Sequence, residues 1–118
     1  MEFSEIKGLV FKEIKGLEEG SDQVDFVSTC GRKLHLYHPQ DCCEDVRIVD
    51  VVGDVSNLLN TPILLAEEVS DADGDIPIRS ESYTWTFYKL ATIKGYVDIR
   101  WLGESNGCYS ERVEFDEF

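Results

Sequence analysis

The stretch "YTWTFYKLATIKGYVDIRWL", residues 83–102, decides the fold, because it alternates, turns and alternates again. Its first half sets Tyr83, Trp85 and Phe87 against Thr84, Thr86 and Tyr88, the two-residue period of a β-strand. Lys94-Gly95 supplies a turn, and Val97, Ile99 and Trp101 then share one face of the returning strand. The pattern predicts an antiparallel hairpin. An aromatic stripe at alternate positions reads as core rather than as a stacking platform for a base, so Trp85, Phe87, Tyr96 and Trp101 are expected inside. Tyr88 and Arg100 fall away from most apolar neighbours and are the surface candidates.

Working outward, "ESNG" at 104–107 ends in Asn-Gly, a strong hairpin signal, and "CYSERVEF" closes this meander with Tyr109, Glu111, Val113 and Phe115 on one side. Upstream, "QVDFVS" puts Val24, Phe26 and Ser28 on one face, Gly31 turns the chain, and "LHLYH" continues it. The pentapeptide EIKGL occurs at 5–9 and 13–17 and fits helix and strand alike; one helical turn around 2–7 ahead of a first meander is the favoured reading. "VRIVDVV" at 46–52 is a β-branched strand. "GDVSNLLNTP" reads as a short helix near 54–60, capped by Asp54 and stopped by Asn60 and Pro62. "ILLAEEV" reads as a buried strand, followed by a loop-like "SDADGDIPIRSES". The expected class is α+β, mostly antiparallel β-sheet in two meanders with one short helix, as a single domain over 1–118.

Charge narrows the function. Twenty-four acidic residues against 11 basic give a net charge of −13. Such a surface repels phosphate backbones and anionic membranes and favours a basic partner. No apolar run is long enough for a membrane span, and "MEFSEIKGLV" has no basic leader, so a soluble cytoplasmic protein is expected. Cys30, Cys42, Cys43 and Cys108 are expected to be free thiols.

The segment "LHLYHPQDCCED", 34–45, concentrates reactive side chains. His35, His38, Cys42 and Cys43 are zinc-ligand types, but strand alternation turns His35 away with Tyr37 while His38 follows Leu34 and Leu36. A helical turn begun at Pro39 would bring Cys42 to His38 and lower the thiol pKa; Asp41, Glu44 and Asp45 oppose a thiolate. The favoured reading is structural, with His38 and one cysteine buried and Asp41 bonding turn amides. "DADGD" at 71–75 lacks the spaced ligands of a calcium loop. No phosphate loop or serine-nucleophile motif occurs, so no metal, cofactor or catalytic residue is expected.

The segments "YHPQDCCEDVRI", "VVGDVSNLLNTPILLAEEVS" and "ESYTWTFYKLATIKGYVDIRWLGESNGCYSE", with "GRKLHLYH" before them, resemble a family of short bacteriophage and prophage proteins carried as a domain of unknown function. Cys108 stands where that family tends to carry an aromatic residue, which argues against a role for it. The resemblance raises His38, Asp41, Cys42, Cys43 and Glu44 as candidates, because the family's short motif falls there. It also implies stoichiometric action, by occluding a host protein or antiviral defence complex in the bacterial cytoplasm. The acidic stretch 67–75 with Glu67, Glu68, Asp71, Asp73 and Asp75, together with "SERVEFDEF", would supply charge, and Tyr88 and Arg100 would anchor the partner. Direct nucleic-acid and membrane binding are not expected; self-association is left open. Two other readings stand beside this one. The first is sequestration of a nucleotide-like ligand, which needs Arg79, Lys89, Arg100 or Arg112 to cluster. The second is a metal or thiol enzyme centred on 38–44.

Overall fold

The computed structural model describes residues 2–39, 44–71, 82–105 and 111–117. Eight strands form two four-stranded antiparallel sheets. The first, ordered β1-β2-β3-β8, contains β1 (Phe11–Lys15), β2 (Gln23–Ser28), β3 (Lys33–Tyr37) and β8 (Glu114–Glu117). The second, ordered β4-β7-β6-β5, contains β4 (Asp45–Val52), β5 (Leu65–Asp71), β6 (Ser82–Thr92) and β7 (Gly95–Ser105). Alternation carries Val24, Phe26, Leu34 and Leu36 from the first sheet into one core with Val46, Ile48, Leu90, Val97, Ile99 and Trp101 from the second. Burying each such side chain contributes about 1.5–3 kcal/mol before the entropy of ordering is subtracted. Among the described residues no helix is long and apolar enough to cross a membrane.

The expected short helix near 54–60 is a single 3-10 turn, Val55–Leu58. Asp54 does cap it, accepting from the Ser56 N–H at 2.9 Å. The turn goes no further because Leu59 bridges to Phe11 and the Asn60 N–H donates to the Phe11 carbonyl at 2.8 Å. Asn60 sits at φ +63, outside helical geometry. A second 3-10 turn, Phe3–Ile6, lies where a helical turn was expected and buries Phe3 and Ile6.

Three strand readings change. The expected closing strand does not complete the β6–β7 meander: β8 pairs with β3, matching Leu36 to Phe115 and His35 to Asp116. Val113 and Phe115 are core residues, and Phe115 lies 5.2 Å from Phe3 and 6.2 Å from Phe26 between ring centroids. Crossing to the first sheet is what buries them. Tyr37 then donates to Asp116 at 2.8 Å, and Arg32 grips Glu117 through two nitrogens. Second, β5 is an edge strand rather than a buried one, with Leu64, Glu67, Glu68 and Val69 exposed. Third, the aromatic stripe of β6 lies on the sheet face turned away from the shared core, where Trp85 is nonetheless buried and Phe87 half-buried, while Tyr96 of β7, expected inside, is exposed. The hairpin loop is Ile93-Lys94, with Thr92 opposite Gly95. A two-residue loop pairs odd positions with even ones. Tyr88 therefore opposes Ile99 on the core side, and Phe87 opposes Arg100 on the outer side.

Candidate functional site

The two sheets leave one edge each, β5 and β8, facing a common groove of about 610 Å³. Residues 66–69 and 112–116 line it consecutively rather than alternately. Strands present consecutive residues along an edge and alternate residues on a face, so the groove is flanked by two strand edges. The turn Phe3–Ile6 closes one side through Glu2, Phe3, Ser4 and Lys7. Glu2, Glu67, Glu68, Glu114 and Asp116 give five carboxylates around it, against two cations, Lys7 and Arg112. Glu67 and Glu68 of the acidic stretch and Glu114 and Asp116 of the C-terminal segment thus meet in one place, whereas Glu111 is buried elsewhere and Glu117 pairs with Arg32.

Tyr88 belongs to this region from below. Expected at the surface, it is fully buried, 4.7 Å from Phe3 between ring centroids. Burial, with Glu68 beside it, pushes its phenol well above the ordinary tyrosine value. Its hydroxyl nevertheless makes no hydrogen bond of normal geometry. It sits between the charges of Glu68 and Arg112, both of which line the groove.

Arg100 lies across the sheet from Tyr88. On the outer face its guanidinium is 5.3 Å from the Trp85 ring, which stacks with Phe87 at 6.2 Å, and it reaches Asp50 at 3.5 Å. Val69, Phe87, Lys89, Asp98 and Arg100 form a shallow hollow there of about 310 Å³. Lys89 and Arg100 therefore share a face, whereas Arg112 is at the groove. Arg79 lies outside the described residues.

His38 and Glu44 form a buried pair, Nε2 to Oε1 at 2.9 Å, with side chains 1% and 0% exposed. The other ring nitrogen, Nδ1, is 2.6 Å from the Arg112 carbonyl. A carbonyl can only accept, so Nδ1 carries a proton and donates. One further proton is then shared between Nε2 and Glu44, and the pair is neutral wherever that proton sits. The contact ties the end of β3 and the start of β4 to the chain entering β8. Asp41, Cys42, Cys43, Asp73 and Asp75 lie outside the described residues, and Asp71 is placed only as backbone of β5. His35 points away from His38 and packs on Tyr37, 4.3 Å between rings. Among the described residues no group of three His, Cys, Asp or Glu side chains is arranged to hold a metal ion. Cys30 is an exposed free thiol.

A second carboxylate, Glu111, was expected on one side with Val113 and Phe115 and, within "SERVEFDEF", as surface charge; it is buried instead. Thr84 donates to it at 2.7 Å and Ser105 at 2.5 Å. Gly103 lets this segment approach: a Cβ there would stand 2.7 Å from the Glu111 carbonyl oxygen. The signal in the sequence was an acid in step with Val113 and Phe115.

Residues 7–115 match the family described as a domain of unknown function, DUF7448. The chain belongs to that family. No curated protein and no solved structure matches it. The DUF7448 match takes in both buried carboxylate clusters and the β5 edge, while Glu2, Phe3, Ser4 and Asp116 of the groove fall outside it.

Proposed function

We propose that this DUF7448 protein works by stoichiometric binding, without turnover, and that it takes a cationic segment of another protein into the groove between β5 and β8. One observation carries the reading. Five carboxylates rim a groove of about 610 Å³ that is open along two strand edges, on a chain of net charge −13. Opposed potentials of this kind speed encounter and select partners. In the setting implied by the resemblance to phage and prophage proteins, the partner is a basic host protein or an antiviral defence complex in the bacterial cytoplasm. Occluding its basic surface inhibits it.

Sequestration of a planar anionic ligand is the second reading. Lys89 and Arg100 beside the hollow at Phe87 support it, and Asp98 in the same hollow counts against it.

The test is capture of arginine- and lysine-rich peptides by immobilised protein. Capture in low salt, release in high salt, and weakening by the double change Glu67→Gln and Glu68→Gln are expected. Retention indifferent to both salt and the double change would overturn the reading.

A further inference from the structure

The groove reading leaves open how a partner segment lies, and the edge of β5 answers it. β5 ends the order of its sheet, and its register with β6 runs from Leu65–Ala91 to Asp71–Trp85 without a bulge. Its outer amides and carbonyls therefore keep the even spacing of a pairing template. Edge strands are usually blunted by a proline, a bulge or a lysine, and "LAEEVSD" contains neither proline nor lysine. The turn Phe3–Ile6 packs against β5, but the described backbone hydrogen bonds of residues 2–9 are internal or reach Ile63, so none pairs with that edge. The charges that β5 does carry, Glu67 and Glu68, repel a second β5 and attract a cationic strand.

Resting on the groove reading, we infer that the partner segment is an extended strand added to the outer edge of β5, with which no described strand pairs, alternating basic and apolar residues. The two faces of β5 set that alternation. Glu68 shares the face of Tyr88 and looks into the groove, whose opposite wall carries Glu114 and Asp116. Side chains of an added strand on this side meet carboxylates, so they are Lys or Arg. Val69 shares the outer face with Phe87, is 50% exposed, and borders the hollow of about 310 Å³. Side chains on that side meet the apolar patch of Val69 and Phe87, with Glu67 and Lys89 further along the same face. The buried Tyr88 hydroxyl, without a well-formed hydrogen bond, feels the charges of Glu68 and Arg112, both of which line the groove. Main-chain pairing supplies affinity in such additions, and alternate pockets supply selectivity.

The experiment compares two peptides of identical composition in low salt: one strictly alternating Arg and Val, the other with the arginines and valines in blocks. Amide exchange of residues 66–70 is followed in each mixture. The expected result is about tenfold tighter binding of the alternating peptide, with exchange slowed along β5. Val69→Ser is expected to remove most of that difference and to leave the block peptide unaffected. Equal binding of both peptides without protection of β5 overturns strand addition while the groove reading survives. Binding of neither peptide overturns both. Protection of β5 that grows with protein concentration and needs no peptide assigns the edge to a second copy and overturns the proposal.

Discussion

His38 has an acceptor at each ring nitrogen, the Arg112 carbonyl and the Glu44 carboxylate. Removing the imidazole strands the carboxyl group in the core, so His38→Ala is expected to cost about 3–5 kcal/mol, and Glu44→Gln, whose amide can still donate to Nε2, distinctly less. Replacing both by leucine is expected to recover much of that loss; urea unfolding of the three variants checks it. Tyr88 behaves oppositely, because its hydroxyl has no well-formed bond to lose. Tyr88→Phe is expected to leave the melting temperature unchanged or raise it; a loss beyond about 1 kcal/mol would reveal a real bond to Glu68. The buried phenol also sets a pH dependence. The folded state holds its proton more tightly than the unfolded chain, whose phenols ionise near 10.0. This contribution is complete below that pH and is lost as pH rises above it. Phenolate absorbance should therefore show Tyr88 ionising only as the fold opens. The burial of His38 was legible in "LHLYH", since alternation sends it after Leu34 and Leu36. Its partner Arg112 was not, because 74 residues separate them.

At the scale of elements, parity decided more than hydrophobicity. Trp85 and Phe87 are larger and more apolar than Thr84 and Thr86, so size alone sends them inward. The Ile93-Lys94 loop overrules this by pairing them with Leu102 and Arg100. That signal was in the sequence: a two-residue turn ahead of Val97, Ile99 and Trp101 puts the even residues of β6 on their face. The EIKGL repeat teaches the same lesson from another side. Its first copy begins in a 3-10 turn and its second in β1, so identical residues take the structure their packing allows. Asp54 adds a local contribution. Its bond from the Ser56 amide holds the carboxyl below the ordinary range, so the stabilisation is present above that range and drains away as pH falls through the folded value. At the β7–β8 crossing, Gly103→Ala would drive a methyl into Glu111. The expected cost is about 1–3 kcal/mol by chemical unfolding, with faster amide exchange in β8 than in β2.

For the whole molecule, a net charge of −13 on 118 residues means self-repulsion in the compact state. Added sodium chloride is expected to raise the melting temperature until the repulsion is screened, and the same salt is expected to weaken capture of cationic peptides. A melting temperature indifferent to salt would mean that the acids are spaced widely enough not to interact. Local alternation, turn residues and composition were enough to determine an antiparallel β protein with an anionic surface and a buried His38. These properties depend on neighbours in the chain and on sums over it. Tertiary structure alone decided that β8 joins β3 and that two strand edges meet across an acidic groove. The free energy behind those choices comes from burying Val113, Phe115 and Phe3 against residues far away in the chain, and no local pattern encodes which distant surface will receive them.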